Sequence, residues 1–270
     1  MDLEEARERI LEISRRISGL TEEEILRGPA ERVRGAFREL DRLAEEPADP
    51  HAVASLKEDP VLKGPLRAIS RLRTLYGLRL EVETAEELLG APDPWAHLEG
   101  FPFYENYRLL AEAEGRAVGL RGDDLVVMLG AGPLPMSLIM HHRLFGTRGL
   151  GIERDPRWAA LAKEVIERLG MGEKITMVRG DEGLLPALKG YRLLIVAALA
   201  EPKGRIFDLL GRCLPPQAFV SCRLYEQGLR AILYDTPPPV LPAELCEVAR
   251  IPPRLPVKNT VLIVKKVAGS

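Results

Sequence analysis

Residues 125–155 read LVVMLGAGPLPMSLIMHHRLFGTRGLGIERD. An apolar run, Leu125 to Leu129, ends in Gly130-Ala131-Gly132 and passes into a helical pattern. A second short apolar run closes on Glu153. A glycine-rich turn after a first strand, with a carboxylate about 20 residues on, is the layout of a nucleotide site. The glycines let the backbone approach a ligand, the helix N-terminus offers free N–H groups, and the carboxylate accepts ribose hydroxyls. Pro133 and Pro135 suit a helix start, where the N–H groups they lack would be unpaired anyway. Pro133 also stands where a dinucleotide fingerprint would run on toward its third glycine. That departure points away from NAD and toward S-adenosylmethionine.

Outward from this stretch, the chain alternates between short apolar runs and helical patterns. The runs Leu125–Leu129, Gly149–Ile152, Ile175–Val178, Leu193–Ala197, Ala218–Arg223, Leu229–Tyr234 and Thr260–Lys265 predict strands. Met136–Leu144, Pro156–Leu169 and Lys203–Cys213 predict the helices between the early ones. Repeated βαβ units imply a parallel, doubly wound α/β sheet. The last two runs, with no good helical pattern between them, predict an antiparallel pair at the sheet edge. The sum is a Rossmann-like, Class I methyltransferase-type arrangement of seven strands. Asp181, in VRGDEG after the third strand, sits where such folds contact an adenine amino group. Taken singly, a GxG is more often an ordinary strand-to-helix turn and Glu153 a solvated strand end. In order with Asp181, the three read as a nucleoside site.

Residues 1–117 have a different grammar. Leu3, Ile10, Leu11 and Ile17 recur near a helical period among Glu and Arg. Helices are also predicted from Pro29 to about Glu45, from about Pro65 to Leu89 with a bend at Gly77, and from Phe101 to Glu114. The expected organisation is an all-helical domain over 1–117 and a Rossmann-like, S-adenosylmethionine-binding domain over 118–270. The formal net charge of −2 supplies no field for nucleic acid or anionic lipid, so neither is expected as a partner. No apolar run is long enough to span a membrane, and the charged N-terminus MDLEEARERI lacks a secretory core. Cys213, Cys222 and Cys246 are scattered without ligand or redox spacing, which fits a reducing, cytoplasmic setting. His141 and His142 point about 100° apart on a helix and have no partner at ligand spacing, so no metal site is expected. A homodimer is the default for the assembly.

LGAGPLP, FPFYENY, AALAEPKGR after the fourth strand, LRAILY and VKNTVLIVKK together resemble the nicotianamine synthase family. The resemblance runs from about residue 65 to 266, and FPFYENY followed by GxGPLP is its most specific part. It implies a helical N-terminal domain over a Rossmann-like one, with the site in the cleft. It also implies a reaction. Family members move not the methyl but the 3-amino-3-carboxypropyl arm of S-adenosylmethionine onto an amine. They release 5′-methylthioadenosine and build a metal-chelating metallophore from an amino-acid acceptor, with no metal required. By position in its motifs, Glu81 is the implied catalytic carboxylate and Tyr107 the implied active-site tyrosine. Gly130, Ala131, Gly132, Pro133, Glu153, Asp181 and Ala198 are implied donor contacts, and Tyr104 and Arg230 substrate contacts.

Those residue types suit the chemistry. A sulfonium makes three carbons electrophilic, and the one held in line with a nucleophile at about 3–3.5 Å reacts. The attacking amine is mostly protonated at neutral pH, so a base must take its proton. A carboxylate can do so, and can also attract the cation first. Residue patterning alone reads Glu81, beside Glu83, Glu86 and Glu87, as a solvated helix face, and Phe101, Phe103, Tyr104 and Tyr107 as core packing. The resemblance reverses this for Glu81 and Tyr107 and leaves Phe101 in the core. Arg223 and Arg230 are candidates to grip a substrate carboxylate with a two-pronged fork, Arg230 the stronger because LRAILY is in the resemblance. Asn259 matches too, without a derivable role. The alternative function on the same fold is an S-adenosylmethionine-dependent methyltransferase of a small molecule.

Overall fold

A computed structural model describes residues 2–267. The chain divides into two compact units. One holds the chain up to Leu80 together with Tyr225–Pro237, and the other holds Glu81–Leu224 with the chain from Pro238 on.

The first unit is helical among its described residues. It contains α1 (Leu3–Ile17), α2 (Glu22–Arg27), α3 (Ala30–Glu45), α4 (Pro50–Glu58) and the first part of α5 (Lys63–Gly90). Each start has a local cause. The Asp2 side chain accepts from the Glu5 N–H, Thr21 and Glu24 cap each other reciprocally, and Asp49 caps α4 with Pro50 at its first position. Ile10, Ile13 and Ile17 bury one face of α1, and Val33, Phe37 and Leu40 one face of α3. Arg79 is buried, and its Nη1 donates to the carbonyls of Ile25 at 3.2 Å and Gly28 at 2.7 Å, where α2 ends. The Arg73 guanidinium lies 4.4 Å from the Tyr225 ring and 4.3 Å from the Tyr234 ring, which ties in the returning segment.

The second unit is built on one seven-stranded sheet. After the rest of α5 come α6 (Pro94–Glu99) and α7 (Tyr104–Val118). Then β1 (Leu125–Leu129), α8 (Met136–Phe145), β2 (Arg148–Glu153), α9 (Pro156–Arg168) and β3 (Ile175–Arg179) follow. A short 3-10 helix (Glu182–Ala187), β4 (Tyr191–Val196), α10 (Lys203–Cys213), β5 (Phe219–Leu224), β6 (Leu245–Ile251) and β7 (Thr260–Lys266) complete it. The strand order is β3-β2-β1-β4-β5-β7-β6. β7 runs antiparallel to both neighbours and the other pairs are parallel. This is the Class I methyltransferase-type sheet. One face carries Val127, Leu129, Leu194, Val196, Val220 and Cys222, all buried in a cluster with Ile206, Phe207 and Leu210 of α10. Successive strand residues alternate faces, so Ser221 and Arg223 of β5 turn to the opposite face. The order reverses between β1 and β4, and ligands of open α/β sheets bind beyond the carboxyl ends of the strands at such a point.

The sequence assignment of Leu229–Tyr234 as a strand is wrong. The segment forms a short helix, Arg230–Leu233, in the first unit. Leu229, Ile232 and Leu233 are buried, and their i, i+3, i+4 spacing is helical; a short apolar run carries no more than that to separate the two states. The missing strand is β6, LCEVARI, half solvated at the sheet edge, where Glu247 and Arg250 interrupt the apolar run. The antiparallel edge pair is β6–β7. α5 continues through Gly77 without a break. The 117/118 boundary followed secondary-structure type, whereas the compact units divide by contact between Leu80 and Glu81.

Candidate active site

The turn after β1 is fixed by the strand beside it. The N–H groups of Gly130 and Ala131 both donate to the Ile152 carbonyl, at 2.9 and 3.2 Å. Gly130 has φ +77° and fits against the methyls of Ala197 and Ala200 just past β4. Gly132 has φ +67°, and its N–H donates to Glu153 Oε2 at 2.9 Å. The Asp155 N–H donates to Glu153 Oε1 at 3.0 Å. The Glu153 carboxylate is thus buried, aimed by two backbone donors, and keeps a lone pair on each oxygen for a diol. Pro133 is buried between this turn and α8, whose N-cap is Pro135.

Glu81 and Tyr107 meet at the same turn. Glu81 lies on α5, half-buried, and the Tyr107 hydroxyl on α7 donates to its Oε1 at 3.0 Å. A Cβ added to Gly132 would stand 3.0 Å from Glu81 Oε2, so this carboxylate edge rests on the bare glycine. Phe101 is buried, as expected for core, and its ring stacks on that of Tyr107 at 6.4 Å. Four residues singled out from sequence, Glu81, Tyr107, Gly132 and Glu153, therefore form one connected cluster. It joins α5, α7, the β1 turn and the end of β2.

Other candidates stand apart from this cluster. Asp181 is exposed, and its Oδ1 accepts from the Gly183 N–H at 2.8 Å, capping the 3-10 helix. The Ala198 carbonyl accepts from Lys203 Nζ at 2.7 Å. Lys203 is buried, also pairs with Glu201 at 2.7 Å, and so ties down the loop beyond β4. Sequence reading passed over Lys203, although a lone lysine opening an amphipathic helix inside AALAEPKGR was a signal. Tyr104 accepts from Arg143 Nη1 at 2.7 Å, and Arg143 also pairs with Glu99 and stacks on Trp95 at 4.6 Å. Burial pushes the Tyr104 hydroxyl up, only partly offset by Arg143. Arg230 belongs to the first unit and lies on the short helix rather than a strand, its Nε buried without a hydrogen bond.

Arg223 does not reach for solvent as a substrate fork. It is buried, with Nε and Nη2 bonded to the two oxygens of Glu114 at 2.9 and 2.8 Å and Nη1 bonded to Ser137 Oγ at 2.8 Å. The Ser221 hydroxyl donates to Glu114 Oε1 at 2.7 Å. Burial pushes the Glu114 carboxyl up, but Arg223, His141 and Ser221 outweigh it and hold it below the usual range. Burial drives His141 down, toward the neutral ring, against the pull of Glu114. His141 Nδ1 bonds the Ser137 carbonyl and His142 Nδ1 the Thr147 carbonyl, so the two rings serve different partners. Among the described residues no group of three His, Cys, Asp or Glu is placed to hold a metal ion. Nor is any helix among them long and apolar enough to cross a membrane.

The family model for nicotianamine synthase protein matches residues 2–270. Nicotianamine synthase 9 of Hordeum vulgare is 30% identical over 207 residues, covering 69% of this chain and 59% of that protein. Nicotianamine synthase 1 of Oryza sativa subsp. indica is 29% identical over 243 residues, covering 83% of this chain and 71% of that protein. The chain thus spans about three fifths to seven tenths of these plant relatives' length. Crystal structures of MtNAS align over nearly the whole of both chains. The complex with MTA and tNA has a TM-score of 0.85 at 28% identity, covering 97% of this chain and 98% of that one. The E81Q mutant of MtNAS in complex with S-adenosylmethionine has a TM-score of 0.85 at 28% identity, covering 96% and 97%. With residues 2–270 matched by the family model, the chain belongs to the nicotianamine synthase family.

Proposed function

We propose that this protein transfers the 3-amino-3-carboxypropyl group of S-adenosylmethionine to the amine of an amino-acid acceptor. It releases 5′-methylthioadenosine and makes a nicotianamine-type metallophore. The observation that carries the reading is the meeting of a carboxylate and a tyrosine hydroxyl, Glu81 and Tyr107, on the glycine turn that holds Glu153. In this reading Glu153 takes the ribose diol of the donor. The Gly130–Pro133 turn packs against its amino-acid portion, and Asp181 and Ala198 flank the adenine. Glu81 accepts the proton of the acceptor amine. The amine lone pair then attacks the γ-carbon of the donor arm. The new C–N bond forms as the C–S bond breaks, and its electrons neutralise the sulfonium to the thioether of methylthioadenosine. Tyr107 holds Glu81 in place through its hydroxyl and, with Tyr104, contacts the substrate. Arg230 is the candidate cation for a substrate carboxylate. Likeness to MtNAS, solved with S-adenosylmethionine, MTA and tNA, supports the donor and the products. The setting is the reducing cytoplasm, where Cys213, Cys222 and Cys246 persist as free thiols.

Incubation of the purified protein with S-adenosylmethionine and a panel of amino acids, followed by mass spectrometry, tests the reading. Methylthioadenosine and a product heavier by one aminocarboxypropyl unit are expected. S-adenosylhomocysteine as the sole nucleoside product would instead establish methyl transfer. Glu81→Gln should slow methylthioadenosine release by about 10²-fold or more while still binding the donor.

A further inference from the structure

A second carboxylate in the same unit has no part in that chemistry, yet among the described residues it is the most deeply buried carboxylate. Glu114 lies on α7, seven residues and about two helical turns beyond Tyr107, so both project from one face of that helix. Its side chain is wholly buried and bonded to Arg223 and Ser221, both on β5. Arg223 has Nε, Nη1 and Nη2 all engaged, by Glu114 and by Ser137 on α8. Its guanidinium carbon lies 5.8 Å from the centre of the Tyr107 ring. The Tyr107 hydroxyl, at the far end of that ring, donates to Glu81.

We infer that the Glu114–Arg223 pair is a positioning device for Tyr107. It fixes the rotation of α7 on the sheet and sets a cation at the face of the Tyr107 ring, so that the hydroxyl is aimed at Glu81. The inference rests on the proposed aminocarboxypropyl transfer. Three physical points support it. A buried ion pair can often be replaced by apolar groups at no loss of stability, so stability alone does not explain its presence here. An arginine fork bonded at three nitrogens has one orientation, unlike the sliding contact an apolar pair would make. A cation against an aromatic ring is attracted to its face and so restrains where that ring can lie.

Glu114 and Arg223 are then positioning residues, and their effect must pass through the Tyr107 hydroxyl. A double-mutant cycle on the full chain tests this, with Glu114→Gln, Tyr107→Phe and the two combined. The rate of methylthioadenosine release at saturating S-adenosylmethionine is measured alongside donor affinity by calorimetry. Glu114→Gln should lower kcat about tenfold while donor Kd stays within about twofold. The combined variant should be no slower than Tyr107→Phe by more than about threefold, because the hydroxyl through which Glu114 acts is already gone. Losses that multiply in the combined variant, an unchanged kcat in Glu114→Gln, or a matching loss of donor affinity would overturn the inference. If Glu114→Gln does not fold, Ser137→Ala removes one bond from Arg223 and enters the same cycle: a loss of about threefold is expected alone and none beyond that of Tyr107→Phe in the combined variant, a further threefold there overturning the inference. Release of methylthioadenosine by the unaltered protein separates the two readings. With release and multiplicative losses only the inference fails; without release both do.

Discussion

Two carboxylates in the second unit sit in opposite surroundings. The region around Glu81 is half open: the Tyr107 hydroxyl donates to one oxygen of the side chain, and the other edge rests on a glycine without a Cβ. The region around Glu114 is sealed, with a guanidinium fork, a serine and a histidine packed about a side chain that solvent does not touch. A carboxylate that must accept a proton from a visiting amine needs access and room for its charge state to change. One that orients a neighbour needs every lone pair committed. The residue type is the same, and the partners decide between reagent and scaffold.

That contrast breaks most sharply at Arg223. Arg223→Met leaves Glu114 charged and unpaired in the interior and should cost about 3–5 kcal/mol of stability, read by denaturant unfolding. Glu81→Gln should do the reverse, abolishing most turnover while the unfolding free energy stays within about 0.5 kcal/mol of the parent. If instead Glu81→Gln destabilised and Arg223→Met did not, the two assignments would have to be exchanged.

Acid sharpens the comparison. Burial lowers His141 below its ordinary value near 6.5, so the stability of holding it neutral is present above that pH and is lost as pH falls through the folded value. Glu114 is also held below its ordinary value near 4.5: burial raises it, but Arg223 more than compensates. Its contribution is present above that pH and lost below it. A melting series should therefore be flat above about pH 7, decline below 6.5 and steepen below 4.5. His141→Gln should flatten the upper limb alone. The smallest effect is expected at the glycine shared with the catalytic pair. Gly132→Ala places a Cβ at positive φ and 3.0 Å from Glu81 Oε2, and should cost about 1 kcal/mol of unfolding free energy. It should also lower kcat, because Glu81 must give way.

Much of this was readable in residue order. β1, α10 and the glycine turn lie where the apolar periodicity and LGAGPLP put them. β1 is buried along nearly its whole length and α10 along one face, and such burial forces a clear pattern. Leu229–Tyr234 was misread because six apolar-rich residues satisfy either period. β6 was missed because Glu247 and Arg250 break its apolar residues into pieces too short to read as a strand. Glu81 could not be told from Glu83, Glu86 and Glu87 by helical pattern, since all four are acids on one charged stretch. The motif resemblance singled it out, and the hydrogen bond from Tyr107, 26 residues away, is what sets it apart physically. Arg223 was read as a candidate for a substrate carboxylate because its partners are far off in sequence: Glu114 lies 109 positions away and Ser137 86.

The sequence by itself determined the α/β class, the strand-turn-helix unit at Gly130 and the acid closing β2, because these rest on local periodicity and on backbone conformations that few residues adopt. Only the tertiary structure decided which carboxylate faces Tyr107 and which faces Arg223. That choice depends on pairings across the whole length of the second unit. Electrostatic partners are selected by distance in space, on which the order of residues along a helix is silent.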